Sequence, residues 1–120
     1  MNTSGPVLGV VGPCAAGKST LVDQLRKRGY PAKHIAQEHS YVKDMWEQIS
    51  QPDVLIYLDV SYTISHQRNP SDWSHKIYEN QVIRLEHAKN NADLYINTDD
   101  KSPAQVFKLV ISFLDEEFGE

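Results

Sequence analysis

Residues 7–20 read VLGVVGPCAAGKST, an apolar run followed directly by a glycine-rich turn. The apolar run, residues 7–11, is typical of a short strand that is buried on both faces of a parallel sheet. Residues 18–28 then predict a helix, because leucine and valine recur on one face and Gly29 provides a natural C-terminal stop. A strand, a glycine-rich turn and a helix are therefore expected to follow one another in this part of the chain.

The turn itself, residues 12–20, fits the pattern G-x-x-x-x-G-K-[ST] of a phosphate-binding loop. Glycines let the backbone curl so that successive N–H groups and the N-terminus of the next helix face an anion, which makes a cradle for the α- and β-phosphates. Lys18 adds a positive charge near the β- and γ-phosphates, Ser19 supplies a hard oxygen ligand for Mg²⁺, and Thr20 offers a hydroxyl to the α-phosphate. The plainer interpretation is a glycine turn before a helix that carries a surface lysine.

The loop pattern predicts that the chain binds ATP, or another nucleoside triphosphate, together with Mg²⁺. The loop residues that we expect to contact the nucleotide are Gly12, Pro13, Cys14, Ala15, Ala16, Gly17, Lys18, Ser19 and Thr20. Cys14 lies inside the loop, where we expect a small packed side chain rather than a reactive thiol.

Further strands and helices alternate along the rest of the chain. Strands are predicted at residues 32–37, 53–59 and 93–97, and helices at residues 41–49 after an N-cap at Ser40, 61–68, 71–90 and 102–114. Apolar stripes at helical spacing predict that the core includes Trp46, Trp73, Ile77 and Leu109. Alternating strands and helices imply right-handed crossovers onto a parallel sheet. We therefore expect an α/β fold, a three-layer α/β/α arrangement with a mainly parallel sheet of about four strands.

The composition fits one small globular domain that spans residues 1–120. Lysine and arginine number 12 against 16 acidic residues, a net charge of −4, which argues against binding to duplex nucleic acid. No apolar run approaches the length of about 20 residues that a membrane-spanning helix needs, so no membrane partner is expected. The single cysteine cannot form an internal disulfide and no secretory leader is recognisable, so we expect a cytoplasmic protein.

On these residues the chain resembles the P-loop kinase superfamily, as an unusually small member of the nucleoside monophosphate kinase-like P-loop NTPases. Besides the loop at residues 12–20, the resemblance rests on PDVLIYLDVS at residues 52–61 and on ADLYINTDDKSPAQVFKLVISFL at residues 92–114. It implies an ATP- and Mg²⁺-dependent kinase that transfers the γ-phosphoryl group to a small acceptor. It also implies that the loop bounded by Thr98 and Pro103 contacts the nucleotide base.

The resemblance implies that residues 62–91 occupy the position of the lid. In these kinases the lid is the segment whose arginines close over the transferred phosphoryl group. Arg68 and Arg84 are the only arginines beyond the first predicted helix, so they are the catalytic candidates. An arginine there would stabilise the negative charge on the equatorial oxygens of the transition state. The alternative is that each arginine is a solvated helix residue paired with a nearby acid, such as Asp72, Glu79 or Glu86.

Two acids compete for the role of catalytic base or Mg²⁺-shell ligand. Glu38 lies among the polar residues 37–40 at the end of the predicted second strand, where ligands bind in open α/β sheets. Asp59 closes the strong third strand in the manner of a Walker B aspartate, or caps the helix that follows. We place Glu38 slightly ahead, as a catalytic base or metal-shell acid, and the candidate metal ligands are Ser19, Glu38 and Asp59.

The chain departs from the kinase pattern in the region that would bind the acceptor. Kinases of this superfamily insert a helical acceptor-binding region between the second strand and the acid-bearing strand, whereas only residues 38–51 separate these strands here. A very small acceptor, a site completed by a partner chain, and a regulatory or NTP-hydrolysing module without an acceptor all remain open. A structural oligomer subunit with a vestigial loop is a further alternative, since a second copy can cover the edges of so small a sheet.

Overall fold

A computed structural model describes residues 6–13, 15–40, 42, 44–68 and 75–118. Strands and helices alternate along these residues. In chain order the elements are β1 Leu8–Val11, α1 Lys18–Lys27, β2 Ala32–His34, a 3₁₀ turn Gln37–His39, α2 Met45–Ser50, β3 Val54–Asp59, α3 Tyr62–Arg68, α4 His75–Asn91, β4 Leu94–Asn97 and α5 Pro103–Phe118.

The four strands form one sheet in the order β2-β1-β3-β4, and every neighbouring pair is parallel. β1 lies inside the sheet, where Val10 is opposite His34 of β2 on one side and opposite Ile56 of β3 on the other. The prediction of an α/β fold with a four-stranded parallel sheet is confirmed. Because parallel strands end at the same edge of a sheet, the segments that follow β1, β2 and β3 lie together there.

Alternate strand residues pack into two separate hydrophobic clusters. In β3, Ile56 and Leu58 belong to the first cluster, whereas Leu55 and Tyr57 belong to the second. The first cluster joins the sheet to α1 and α5 through Leu21, Val22, Leu25, Val106, Val110 and Leu114. The second joins the sheet to α2 and α4 through Trp46, Leu85 and Ala88. Burial in both clusters explains why β1 and β3 are apolar at almost every position.

Local sequence signals define the ends of α1 and α5. After α1, Gly29 adopts a φ of 93°, and its N–H donates to Arg26 O at 3.0 Å, as in a left-handed glycine C-cap. Before α5, Ser102 N–H donates to Gln105 Oε1 at 2.7 Å and Gln105 N–H donates to Ser102 Oγ at 3.2 Å. These two bonds form the predicted capping box.

The helix expected at residues 41–49 begins later, at Met45. The Ser40 hydroxyl, expected to cap this helix, instead accepts a hydrogen bond from the Val42 N–H at 3.1 Å. Such a bond from a nearby backbone group holds a turn and competes with the start of a helix. The neighbouring Tyr41 lies outside the described residues.

The apolar stripes of the helices are only partly buried. Trp46 is buried, as predicted, whereas Ile77 and Leu109 are 45% and 44% exposed. Ile77 precedes the part of α4 that is buried, which consists of Gln81, Leu85 and Ala88. Leu109 lines a surface groove beside the edge strand β4. The predicted core residue Trp73 lies outside the described residues.

None of the described helices is both long enough and apolar enough to cross a bilayer. The longest, α4, has 17 residues, and its charged and amide side chains interrupt any apolar run.

Candidate functional site

The glycine-rich turn lies between β1 and α1, at the edge where the parallel strands end. Among the described residues of the turn, three have a positive φ, which is 154° at Gly12, 67° at Ala15 and 94° at Gly17. A Cβ atom on Gly12 would lie 2.0 Å from the backbone oxygen of Leu58, so the turn passes directly over the end of β3. Left-handed residues in a turn direct backbone N–H groups to one side, an arrangement that binds anions. The predicted loop residue Cys14 lies outside the described residues.

Lys18, the first residue of α1, is buried and makes three hydrogen bonds. Its Nζ donates to Gly12 O at 2.6 Å and to Pro13 O at 2.9 Å, and it forms an ion pair with Glu38 Oε2 at 2.9 Å. The side chains of Lys18 and Glu38 are only 5% and 4% exposed. Because an ammonium group has three donors, Lys18 binds a phosphate oxygen only by giving up one of these partners.

The 3₁₀ turn after β2 places Glu38 beside the glycine-rich turn. Gln37 anchors this 3₁₀ turn, since its Oε1 accepts the Trp46 N–H at 2.8 Å and its Nε2 donates to Arg84 O at 3.1 Å. Arg84 in turn donates from Nη1 to the backbone oxygen of Glu38 at 3.3 Å. The predicted residues Lys18, Glu38 and Arg84 therefore come together from α1, the 3₁₀ turn and α4.

Arg68, the last residue of α3, bridges two loops. Its Nη1 donates to Ala15 O and to Thr98 Oγ1, each at 3.0 Å, and its Nη2 donates to Thr98 O. The Thr98 hydroxyl donates to Asp59 O at 2.9 Å, which fixes its position. The Arg68 guanidinium thus connects α3 both to the glycine-rich turn and to the loop that follows β4.

A cavity of about 170 Å³ lies beside the glycine-rich turn. Its walls come from the turn, from α1, from the end of α3 and from the residues around the start of α5. They are Ala15, Ala16, Gly17, Thr20, Leu21, Gln24, Arg68, Thr98, Lys101, Pro103 and Val106. The predicted residues Thr20, Arg68, Thr98 and Pro103 therefore line one common space.

Sequence reasoning missed Gln24 as a lining residue of this cavity. Gln24 lies four residues after Thr20, so both side chains are on the same face of α1. This spacing from the loop threonine is the sequence signal that points to it. The Gln24 carbonyl oxygen is buried, and within the described residues it has no hydrogen-bond partner.

Asp59, the second predicted acid, has other partners. Its Oδ1 accepts the Val60 N–H at 2.9 Å, and its Oδ2 accepts the Tyr95 hydroxyl at 2.5 Å. Both carboxylate oxygens are therefore engaged at the ends of β3 and β4. Of the two acids, Glu38 is the one that is bonded to Lys18.

The candidate ligands for Mg²⁺ are hydroxyl and carboxylate oxygens, which is the donor type that this ion prefers. In the part of the chain that the structure describes, no group of three or more His, Cys, Asp and Glu is arranged to hold a metal. At nucleotide sites Mg²⁺ is held mainly by phosphates and water with one or two protein oxygens. The roles of Ser19, Glu38 and Asp59 as metal ligands therefore stay predictions.

Tyrosines surround the Asp59 carboxylate. The rings of Tyr57 and Tyr95 stack with their centroids 5.8 Å apart. Burial, followed by the hydrogen bond to Asp59, raises the pKa of Tyr95 to about 12. Burial, followed by the negative charge of Asp59, also raises the pKa of Tyr57 and of Tyr78 above the ordinary tyrosine value.

We expect the free energy of unfolding to fall as the pH rises above about 10. In the unfolded chain tyrosines lose their protons near that pH, whereas Tyr57, Tyr78 and Tyr95 keep theirs to higher pH in the folded chain. Between the unfolded and folded pKa values of these tyrosines, the unfolded state binds fewer protons than the folded state. The tyrosines' contribution to the free energy of unfolding is therefore lost in this pH range and is fully present at lower pH. Urea midpoints measured from about pH 8 to 11 test this, and Tyr57→Phe should reduce the fall. Identical slopes for the two proteins would contradict it.

The site has a distinct charge pattern. Two cationic side chains bond to the glycine-rich turn, Lys18 to Gly12 O and Arg68 to Ala15 O, and a third, Arg84, bonds to the backbone of Glu38. One buried carboxylate, that of Glu38, lies among them. Such a pattern suits a polyanion that needs both charge neutralisation and a nearby proton acceptor.

The chain was compared with models of known protein families and with curated protein sequences. No family model matches it, and no curated protein matches it either. Function is therefore inferred from the residues of the site.

Proposed function

We propose that this chain is an ATP-binding, Mg²⁺-dependent phosphotransferase of the P-loop kinase type, with the three-layer α/β/α arrangement of P-loop NTPases. The observation that carries the proposal is the junction of β1 and α1, where a curved glycine-rich turn ends at a buried lysine. A phosphate-binding loop has the same order of strand, turn, lysine and helix. The helices pack against the sheet in two hydrophobic clusters, one with α1 and α5 and the other with α2 and α4. This packing supports the same class of protein.

In the proposed complex the triphosphate lies along the turn, at the N-terminus of α1. Lys18 exchanges one of its three present partners for a β- or γ-phosphate oxygen. The Ser19 hydroxyl would hold Mg²⁺, and Glu38 would reach the ion through water; when bound, Mg²⁺ would supply charge neutralisation for the phosphates.

The proposed transfer step needs a base and cations close to the γ-phosphate. The oxygen of an acceptor hydroxyl forms a bond to the γ-phosphorus, while the bond from that phosphorus to the β,γ-bridging oxygen breaks and ADP leaves with the electron pair. Glu38 takes the proton of the hydroxyl. Arg68 and Arg84 stabilise the charge on the equatorial oxygens.

Hydrolysis or sensing of a nucleotide without an acceptor is the second candidate function. The observation that favours it is the short connection between β2 and β3, in which the described residues form only a three-residue 3₁₀ turn and a six-residue helix. Water would then replace the acceptor hydroxyl as the nucleophile, and the products would be ADP and phosphate.

The test is turnover of ATP with Mg²⁺, with and without a panel of small hydroxyl, carboxyl and nucleotide acceptors. Arg68→Ala should lower kcat at least about 100-fold, because a transition-state cation is lost. Arg28→Ala is a matched control, since Arg28 follows α1 at the end opposite Lys18 and packs over the ring of Phe107. A phosphorylated acceptor supports the kinase, phosphate release alone supports the second candidate, and no turnover under conditions of tight binding contradicts both enzymatic forms.

A further inference from the structure

We propose that β4 pairs with β4 of a second copy of this chain, so that two four-stranded sheets join into one sheet of eight strands. The strand order β2-β1-β3-β4 ends at β4, and within the described residues no strand pairs with its outer side. An open edge carries backbone N–H and C=O groups that are ready to pair with another strand. The proposed reaction makes no use of this edge.

The two edges of the sheet differ in how they are protected against pairing. β2 has only three residues, and two of them, Lys33 and His34, are exposed. A short strand that carries a lysine is a common protection of a sheet edge. β4 has four residues, Leu94–Asn97, and none of them is charged or a proline. The edge at β4 is therefore the one that suits pairing.

The backbone of Tyr95 faces the open side of β4. Thr98 N–H donates to Asp59 O of β3 at 2.9 Å, as the register of Asp59 opposite Asn97 requires. Because successive residues of a strand direct their N–H groups to alternate sides, residues at odd spacing from Thr98 face the open edge. Asn97 agrees with this, since its backbone oxygen accepts the Lys101 Nζ at 3.0 Å instead of a strand N–H.

An antiparallel pair centred on Tyr95 satisfies this backbone in both copies at once. In such a pair, two residues that lie opposite each other exchange both of their N–H···O bonds. Tyr95 of one copy then lies opposite Tyr95 of the other, across a two-fold axis. A two-fold interface uses the same patch on both copies, so a patch of this kind must match itself.

A groove between β4 and α5 supplies apolar surface for the same contact. The groove measures about 350 Å³, and Leu94, Tyr95, Leu109 and Phe113 line it. Tyr95 and Leu109 are exposed, whereas Leu94 and Phe113 are only partly buried against the core. Since α5 packs back along the sheet from the carboxyl end of β4, the two-fold axis lays the α5 helices of the two copies antiparallel over this groove. Apolar area is then removed from water in both copies.

The charges of the groove match those of an antiparallel copy. Of the residues that line the groove, the charged ones are Lys101, just before α5, and Glu116, in its last turn. The last turn of α5 has acids and no basic residue, which the helix dipole disfavours within one chain. The two-fold axis brings Lys101 of each copy beside Glu116 of the other. The present bond of Lys101 to Asp100 Oδ1, at 3.2 Å, is an exposed ion pair and competes only weakly.

Sedimentation equilibrium of the folded chain at about 0.1 mM, where an interface of micromolar affinity is saturated, should give the mass of a dimer. Glu116→Lys and Lys101→Glu each create two like-charge contacts, so each should raise the dissociation constant of the dimer at least about tenfold. An equal mixture of these two variants should form dimers again, because two acids of one copy then face two lysines of the other. Glu47→Lys makes the same charge change at an exposed position of α2 and should leave the dissociation constant unchanged.

Leu109→Glu tests the apolar part of the interface separately from the charges. Leu109 is exposed within one chain, so this variant should keep the circular dichroism spectrum of the wild type and lose the dimer. A folded wild type that is a monomer at this concentration would overturn the proposal and leave the edge to another protein or to solvent. A dimer that Leu109→Glu and Glu116→Lys leave intact, or a mixture of the charge variants that stays monomeric, would also overturn it. Each of these results leaves the proposed nucleotide binding untouched, since titration with ATP measures that separately.

Discussion

Lys18→Ala is expected to lower the free energy of unfolding by about 3–5 kcal/mol, the cost of leaving one partner of a buried ion pair uncompensated. That partner is Glu38, whose carboxylate lies 2.9 Å from the Lys18 Nζ. The backbone oxygens of Gly12 and Pro13 lose a donor in the same variant. Urea unfolding followed by circular dichroism measures the loss. A loss under about 1 kcal/mol would mean that the pair is solvated in solution rather than buried.

Two further variants separate the structural role of Lys18 from its role in binding. Lys27→Ala is the matched control, because Lys27 pairs with Asp23 at 3.3 Å with its side chain 77% exposed, so its loss should cost at most about 0.5 kcal/mol. The double variant Lys18→Met with Glu38→Leu removes both charges at similar volume and should regain most of the stability. Its affinity for ATP should stay at least about tenfold below the wild type. Unchanged affinity would remove Lys18 from the nucleotide site.

Gly12→Ala is expected to cost at least about 3 kcal/mol and to abolish binding of ATP. The new Cβ would lie 2.0 Å from the backbone oxygen of Leu58, and the φ of 154° at Gly12 already disfavours a side chain. Because the obstacle is backbone in β3, no rotamer change relieves it. The turn must shift, and Lys18 loses its hydrogen bond to Gly12 O.

Gly17→Ala is the matched comparison within the same turn. Gly17 also has a positive φ, of 94°, but a Cβ there meets no atom within 4 Å. Its substitution should therefore cost only the backbone strain of about 1–2 kcal/mol. Thermal or urea unfolding of both variants gives the comparison. A Gly12→Ala protein as stable as Gly17→Ala would contradict the close approach of the turn to β3.

Much of the fold could be predicted from local patterns. The apolar runs of β1 and β3 are visible because both strands are buried on both faces, and the caps at Gly29 and Ser102 are visible because their chemistry is local. The start of α2 was mispredicted because the Ser40 hydroxyl accepts a backbone N–H in a competing turn. The exposure of Ile77 could not be predicted from helical spacing, because it depends on which turn of α4 packs onto the protein.

The candidate site was predictable only where its residues are contiguous. The glycine-rich turn follows from its pattern, but the choice between Glu38 and Asp59 does not, because β2 and β3 both flank β1. The three-dimensional contacts distinguish them, since Glu38 bonds to Lys18 while Asp59 bonds to Tyr95. Thr20 and Gln24 share a face of α1 by their spacing, but the rest of the cavity wall comes from distant segments that meet only in the folded chain.

The central claim is that the glycine-rich turn binds a nucleoside triphosphate, and calorimetric titration of the folded wild type with ATP and Mg²⁺ tests it most directly. We predict saturable binding of one ATP per chain, with weaker binding when Mg²⁺ is removed by a chelator and in the Lys18→Met, Glu38→Leu double variant. A folded wild-type protein that shows no saturable binding up to millimolar ATP would contradict the account, since nucleotide-dependent enzymes work at or below that range.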